Sequence, residues 1–319
     1  MRRYLDADIE HNTLNMPKET FLKLRKNGIG GSDASSILNL NPYRSSVNVY
    51  MDKIDENIEI KTNMKMILGE KLEEFVAKEF CKQTGKKVRN LNGMLRNHKY
   101  PYAIANLDKV VVSENAFLEC VVTNSYCKKE WSEEVPIHYQ IQCYHYMAVT
   151  GASHCYVCAL IGNEDIKIYK LDRDQELIDY IMEKEEEFWK KYILGDDIPL
   201  PDGSDDYSKF LKNRYKNIDE KPLNLFIESN KLSKLDTLND MLKEIKLEKS
   251  KIEQEIQANM KDHEVAFIGD RKITWKWQSR TTLDSNRLKE DYPDIVKDYM
   301  KTTETRGFKV NLGGEHVYI

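Results

Sequence analysis

The stretch 103–122 constrains the fold most, because it contains two strand-like runs that each carry one acidic residue. Asp108 lies in the first run and Glu119 in the second, and both runs are rich in apolar and β-branched residues. Residues 113–115 between them have the composition of a tight turn. We therefore predict a hairpin that brings Asp108 and Glu119 close together.

Two carboxylates on paired strands are suitable oxygen ligands for a hard divalent cation such as Mg²⁺. Two solvated strand acids would explain the same residues equally well. Side chains alternate between the faces of a strand, so Phe117, Glu119 and Val121 are expected to share one face.

Composition excludes several classes of protein. Among 319 residues, 49 Lys and Arg oppose 53 Asp and Glu, so any contact with nucleic acid must come from local patches rather than from net charge. No apolar run approaches the roughly 20 residues of a membrane span, and the N-terminus lacks the apolar core of a signal peptide. Six cysteines without disulfide-type spacing suit a reduced compartment. We expect a soluble, cytoplasmic protein.

The segment 194–206 is acidic, contains prolines and lacks periodicity, which predicts a domain boundary. We predict a domain over residues 1–200 and a C-terminal region over 207–319. The C-terminal region combines a long helix, whose apolar seam has heptad spacing, with a hairpin that turns at Gly269 and Asp270.

Two residues of a predicted helix over 136–150 could take part in chemistry. Gln142 and Tyr146 are one helical turn apart and could hold a phosphate and a water molecule. Polar residues at a helix boundary are an equally good interpretation. In the predicted helix 64–84, Glu73 follows the apolar residue Leu72 and could reach the same acidic centre.

A glycine-rich turn near the N-terminus could bind a phosphate. Gly30 and Gly31 precede Ser32, which we predict to be the N-cap of a short helix, and free amides at such a helix start attract anions. Arg25 precedes the turn and could add a bidentate contact. On its own, such a turn is more often only a helix start.

Taken together, these segments resemble the lambda-exonuclease/YqaJ-type viral recombinase family of PD-(D/E)XK nucleases. The matching segments are, in chain order, Arg25 with GIGGSDASSILNLNPYRS (28–45), GEKLEEFVAKEF (69–80), ANLDKVVV (105–112), FLECVVTNSYCKKEW (117–131), PIHYQIQCYHYMAVTG (136–151) and EEEFWKKY (185–192). Their order and spacing agree with the family across residues 20–192. The C-terminal third resembles phage members less specifically.

The resemblance implies an α/β (α+β) fold: a PD-(D/E)XK nuclease core with a central mixed sheet flanked by helices, and a C-terminal helical and β-hairpin appendage. It implies that Asp108, Glu119 and the main-chain carbonyl of Cys120 bind Mg²⁺ (or Mn²⁺), with Glu73 near a second ion. Gln142 would belong to the same catalytic set.

The resemblance also implies that Tyr146 completes the catalytic set, and that Arg25 and Ser32 bind the phosphate of a DNA end. Family members digest the 5′-ended strand of duplex DNA, commonly as rings, and pass the remaining strand to a single-strand annealing protein. The expected partners are therefore double-stranded DNA ends, an annealing protein and further copies of this chain.

One departure from the family pattern affects the expected activity. The family has Glu-x-Lys where this chain has Glu119-Cys120-Val121, and the missing lysine polarises the attacking water and balances charge in the transition state. Losing one such electrostatic group costs about 10²–10³ in rate. Lys109 is a conceivable replacement, but strand alternation predicts that it points away from the face of Asp108. Lys128 or Lys129 could also fold back.

Two hypotheses follow. The first is an active Mg²⁺-dependent DNA exonuclease of phage or prophage recombination, in which another group replaces the lysine. The second is a catalytically degenerate protein that binds DNA ends or a partner protein as a scaffold, decoy or inhibitor. The two acids favour the first hypothesis, and the apolar pair Val121-Val122 favours the second.

Overall fold

The computed structural model describes residues 3–55, 63–217, 221–223, 225, 229–302 and 305–310. The chain forms two compact units, Met1–Lys216 and Asn217–Ile319, and each is described by itself. The strands are β1 Arg3–Tyr4, β2 Ala7–Asn12, β3 Val88–Arg89, β4 Gly93–Asn97, β5 Tyr100–Ala105, β6 Lys109–Val111, β7 Ala116–Thr123, β8 His154–Ile161, β9 Asp165–Asp172, β10 Val265–Ile268 and β11 Arg271–Thr274. The α-helices are α1 Lys18–Arg25, α2 Gly31–Ile37, α3 Ser46–Ile54, α4 Met64–Thr84, α5 Ile137–Thr150, α6 Gln175–Phe188, α7 Asp205–Arg214, α8 Ser229–Met260, α9 Ser285–Asp291 and α10 Pro293–Asp298.

A five-stranded mixed sheet forms the centre of the first unit, in the order β3-β6-β7-β8-β9. Strands β6 and β7 are antiparallel, β7 and β8 are parallel, and β8 and β9 are antiparallel. A second sheet has the order β1-β2-β4-β5. The predicted α/β fold class, with a central mixed sheet flanked by helices, is therefore confirmed.

Strand β7 is buried on both faces, as its nearly continuous apolar sequence indicates. On one face, Leu118 packs in a cluster with Val76 and Phe80 of α4. On the other face, Phe117 and Val121 belong to the larger core, which α5 covers. The sheet thus lies between α4 and α5, and side chains of β7 alternate between these two helices.

The helices that cover the sheet end where the sequence predicts. Gly85 and Gly151 follow α4 and α5, and their φ values of 72° and 77° are left-handed conformations that glycine adopts without strain. Helix α5 therefore stops immediately before the chain turns into β8, which returns parallel to β7.

The run 103–112, which the sequence analysis treats as one strand, is divided between the two sheets. Residues up to Ala105 belong to β5, and β6 begins only at Lys109. Asp108 therefore lies in a bend before β6, and its prediction as a strand residue is wrong. An uninterrupted apolar sequence does not reveal this division, because both strands are buried and look alike.

The first unit extends past the predicted domain boundary. Tyr207 and Phe210 of α7 are buried and pack in the main core, so α7 belongs to the unit that ends at Lys216. The acidic segment before α7 is thus a connection within the unit. How the chain divides into independently folding domains stays a prediction.

The second unit contains the long helix and the hairpin that the sequence predicts. Helix α8 carries the apolar seam, in which Leu238, Leu242 and Ile245 are exposed. Strands β10 and β11 pair antiparallel around Gly269. Among the described residues, no helix combines the length and the apolar character needed to cross a membrane.

Candidate active site

Glu119 is the buried acid of the central strand β7. Its Oε1 accepts a hydrogen bond from Nε2 of Gln142 on α5, at 2.5 Å. Its Oε2 is also buried but has no hydrogen-bond partner within the described part of the chain. Burial, followed by the negative charge of Asp108, raises the pKa of Glu119 well above its usual range. An unpartnered buried carboxylate oxygen is costly, because burial removes its water without replacing the lost hydrogen bonds.

Asp108 lies beside Glu119 because of the register of the hairpin. Lys109 pairs with Leu118 across the antiparallel ladder, so the residue before Lys109 meets the residues after Leu118. Oδ2 of Asp108 accepts a hydrogen bond from the backbone N–H of Cys120 at 2.8 Å. Burial, followed by the charge of Glu73, raises the pKa of Asp108 to about 7. The predicted proximity of the two acids is present even though Asp108 lies outside the strand.

Glu73 of α4 approaches this acidic pair but is already bound to a lysine. Lys109 Nζ forms an ion pair with Glu73 Oε1 and lies 3.5 Å from Glu74 Oε2. Burial disfavours the charge of Lys109, but the hydrogen bond and charge of Glu73 raise its pKa overall. Strand alternation does not direct the Lys109 side chain away from Asp108, because Asp108 is not a strand residue.

Val121 occupies the position of the missing lysine and is a core residue. Its side chain is 4% exposed and packs in the main core on the α5 side of the sheet. Lys128 does not fold back toward the acids: its Nζ lies 3.5 Å from Glu164, and both side chains are half-exposed. Lys129 lies at the end of a 3₁₀ helix and its side chain is exposed.

Gln142 and Tyr146 lie on the face of α5 that meets α2. Tyr146 is buried, and burial raises the pKa of its hydroxyl well above the usual range, with a further contribution from the charge of Glu119. A Cβ at Gly31 would lie only 2.6 Å from Cε1 of Tyr146 and 2.8 Å from Cγ of Gln142. Glycine at position 31 is therefore what allows the glycine-rich turn to approach these two residues.

Arg25 and Ser32, the predicted phosphate ligands, are brought together. Arg25 Nη2 donates a hydrogen bond to Ser32 Oγ, which joins the end of α1 to the start of α2. Gly30, not Ser32, is the N-cap of α2, so the N-cap prediction is wrong. The reason is that Asp33 Oδ2 accepts a hydrogen bond from the Gly30 N–H at 3.0 Å and closes the turn two positions earlier than expected.

Asp33 is the centre of a buried charge cluster that sequence reasoning missed. Arg44 Nη1 lies 2.6 Å from its Oδ1, and Lys53 Nζ lies 2.8 Å from its Oδ2. Burial alone would raise the pKa of Asp33, but the charges of Lys53, Arg25 and Arg44 hold it far below its usual range. The sequence signal was the acidic residue three positions after Gly30, a spacing typical of a capping box.

A cleft of about 840 Å³ lies between the glycine-rich turn and helix α5. Arg25, Ser32 and Arg44 line one part of it, and His138 and Gln142 of α5 line another. Gln142, which lines the cleft, also donates a hydrogen bond to Glu119, whereas the side chains of Asp108 and Glu119 do not line the cleft.

The residues at the acidic centre fit a divalent cation. Oε2 of Glu119 is unpartnered and Asp108 is adjacent, and the pKa values of both acids are raised, so nearby positive charge does not offset the cost of their burial. Within the residues that the structure describes, no three His, Cys, Asp or Glu side chains form a group that could hold a metal. An ion bound by the two acids would complete its coordination with water or main-chain oxygen, and the expected role of the Cys120 carbonyl stays a prediction.

Comparison with known proteins identifies the family. A sequence model of the YqaJ-like viral recombinase domain matches residues 20–153. The protein YqaJ of Bacillus subtilis (strain 168) is 34% identical over 310 residues, which cover 95% of this chain and 97% of YqaJ. The chain belongs to the YqaJ-type viral recombinase family. The YqaJ-like domain match spans every residue predicted for the site, from Arg25 to Tyr146.

Two of the solved structures to which the chain is similar are named as exonucleases. The alkaline exonuclease LHK-Exo from Laribacter hongkongensis is 17% identical with a TM-score of 0.49, over 62% of this chain and 98% of that chain. A phage-related exonuclease from Haemophilus somnus 129PT is 15% identical with a TM-score of 0.44, over 54% of this chain and 96% of that chain. The YqaJ family assignment rests on the sequence matches alone.

Proposed function

We propose that this chain is a phage-type DNA exonuclease, which hydrolyses phosphodiester bonds at duplex DNA ends with the help of Mg²⁺ or Mn²⁺. The observation that carries the proposal is the convergence of Asp108 and Glu119, with the buried Oε2 of Glu119 left without a partner. Membership of the YqaJ-type family supports the same reaction class.

Each residue of the site has a role in this proposal. Asp108 and Glu119, with the main-chain carbonyl of Cys120, would hold the ion, which supplies Lewis-acid polarisation of the phosphate and a lowered pKa for water when it is bound. Gln142 fixes the orientation of Glu119 through its hydrogen bond. Tyr146 lies one turn further along α5 and would donate a hydrogen bond from its hydroxyl to a phosphate oxygen.

The glycine-rich turn would bind the end of the DNA. Arg25 and Ser32 present a guanidinium and a hydroxyl to the cleft beside α5, and both suit a terminal phosphate. From the family resemblance alone, we further propose that the remaining strand passes to a single-strand annealing protein and that copies of this chain form a ring.

A second candidate function is supported by Val121. Its burial in the core suits a nuclease fold that has lost hydrolysis and now binds DNA ends or a partner protein. The two candidates share the acidic pair but differ in turnover.

End-labelled linear duplex DNA, incubated with Mg²⁺ or Mn²⁺, separates the two candidates. We expect degradation by the wild-type protein and a loss of at least about 10² in rate for Asp108→Asn and Glu119→Gln, since each change removes a charged ligand. Asp172→Asn, which changes an exposed acid outside the cleft, is the matched control. DNA binding without degradation in either metal would favour the degenerate candidate.

A further inference from the structure

The positive charge that hydrolysis needs cannot come from position 121. Val121 shares a face with Glu119 and packs in the main core. Hydrolysis of a phosphodiester concentrates negative charge on the phosphate oxygens, and a preorganised cation stabilises that charge. An active site in this chain therefore needs an amine or guanidinium from another element.

Lys109 is placed to supply that charge. It is the first residue of β6 and directly follows Asp108, so its backbone is fixed next to the acidic pair. It lies opposite Leu118 across the ladder, on the α4 side of the sheet. Its side chain is only 7% exposed, and its Nζ forms an ion pair with Glu73.

The ion pair holds the amine near the acidic centre. Lys109 directly follows Asp108 and pairs with Leu118, the residue before Glu119, so its backbone adjoins both proposed ligands. The charges of Glu73 and Lys109 both act on Asp108, in keeping with this placement. A buried lysine loses its hydration, and packing an apolar side chain at the same place is often as stable or more so. Fold stability alone therefore gives a weak reason for a lysine at position 109.

We propose that Lys109 supplies the positive charge of the reaction centre, from β6, in place of a lysine at position 121 on β7. The inference rests on the proposed exonuclease function. During hydrolysis, the oxygen of water forms a bond to phosphorus, the bond from phosphorus to the leaving sugar oxygen breaks, and the proton that the water gives up passes through solvent to that sugar oxygen. Lys109 stays protonated throughout: its amine turns from Glu73 to a phosphate oxygen, donates hydrogen bonds and returns.

The test combines a substitution, a conservative substitution and a relocation of the charge. Lys109→Met removes the amine at similar length, Lys109→Arg keeps the charge, and Lys109→Met with Val121→Lys moves the amine to β7. Lys86→Met is the matched control, because Lys86 Nζ forms a similar ion pair with Glu114 at 2.5 Å. Lys86 lies just before β3, outside the proposed site. Two quantities are measured for each variant: the initial rate of Mn²⁺-dependent degradation of duplex DNA, and Mn²⁺ binding by calorimetry without DNA.

We expect Lys109→Met to reduce the rate by about 10²-fold, as the loss of one preorganised charged donor does. Lys109→Arg should recover part of that rate, and the double variant should return to within about 10-fold of wild type. Mn²⁺ should bind Lys109→Met at least as tightly as wild type, because the substitution removes a positive charge near the two acids. Lys86→Met should match wild type in both measurements.

Three results would overturn the proposal. The first is an unchanged rate in Lys109→Met while wild type is active, which leaves the exonuclease function intact. The second is a loss of Mn²⁺ binding in Lys109→Met, which would make the lysine a support for the ligands. The third is a wild-type protein without activity, which would overturn the proposed function as well. This holds even if Val121→Lys alone is active. If thermal melting shows that the double variant does not fold, the recovery in Lys109→Arg decides.

Discussion

In two buried acidic centres of the first unit, the pKa values of the acids are shifted in opposite directions. Asp33 accepts contacts from Arg44, Lys53 and the Gly30 N–H, and its pKa is held far below the usual range despite burial. Asp108 and Glu119 receive only neutral donors, from Cys120 and Gln142, and burial raises the pKa of both.

The charged partners of each centre explain this difference. Desolvation disfavours the ionised form at both centres, and the partners decide the outcome. The Asp33 centre contains its own cations, so it joins α2 and α3 and has no need of a ligand. The Asp108–Glu119 centre leaves negative charge without an equal counter-charge, which is the condition under which a cation binds.

The largest expected effect comes from breaking the Asp33 centre. Asp33→Asn should lower the free energy of unfolding by about 3–5 kcal/mol, because it leaves the buried Lys53 and Arg44 without their shared carboxylate. Urea denaturation measures this, with Asp52→Asn as the control, since Asp52 is an exposed partner of Arg44. A loss of less than about 1 kcal/mol would place Asp33 among ordinary surface pairs.

The next effect concerns the end of the DNA. Arg25→Ala should remove most of a preference for 5′-phosphorylated over hydroxyl duplex ends, a change of about 10-fold or more in relative affinity, because charge-assisted contacts contribute about 1.5–3 kcal/mol. Binding is compared at one salt concentration, since phosphate contacts depend on salt. Lys23→Ala, on the same helix and exposed, is the control. Equal affinity of wild type for both ends would remove Arg25 and Ser32 from the site.

The sequence predicts those features of the fold and the site that depend on residues close together in the chain. The covering helices, the hairpin and the proximity of Asp108 to Glu119 follow from periodicity and turn composition. The division of the run 103–112 between two sheets does not, because pairing partners are distant in sequence. The Lys109–Glu73 ion pair was missed for the same reason: it depends on a bend at Asp108 that strand alternation cannot represent.

A smaller effect of opposite sign should appear at the acidic pair. Glu119→Gln should raise the free energy of unfolding in metal-free buffer by about 1 kcal/mol, because the amide removes a buried charge repelled by Asp108 and can still accept from Gln142. Urea denaturation at pH 8 with a chelator measures this. A loss of stability comparable to that of Asp33→Asn would mean that both centres hold the fold.

The pH dependence of folding stability should also differ between the two acidic centres. The pKa of Asp33 is lower in the folded chain, so its stabilisation is complete above the ordinary Asp value, about 3.9, and is lost as pH falls below it. The pKa of Asp108 is raised to about 7 in the folded chain. The contribution of protonated Asp108 to the free energy of unfolding is therefore complete at low pH and is lost as the pH rises toward 7. In metal-free buffer, the stability of Asp108→Asn relative to wild type should therefore increase between pH 5 and pH 8. The stability of Asp33→Asn relative to wild type should stay constant over that range. Parallel behaviour of the two variants would contradict the contrast.

Mn²⁺ titration of the wild-type protein by calorimetry tests the central claim, that Asp108 and Glu119 form a cation site without a lysine at position 121. We expect saturable Mn²⁺ binding that Asp108→Asn and Glu119→Gln each abolish. Asp33→Asn should retain this binding as long as the variant is folded. Binding that is absent in wild type, or unchanged in Asp108→Asn, would contradict it.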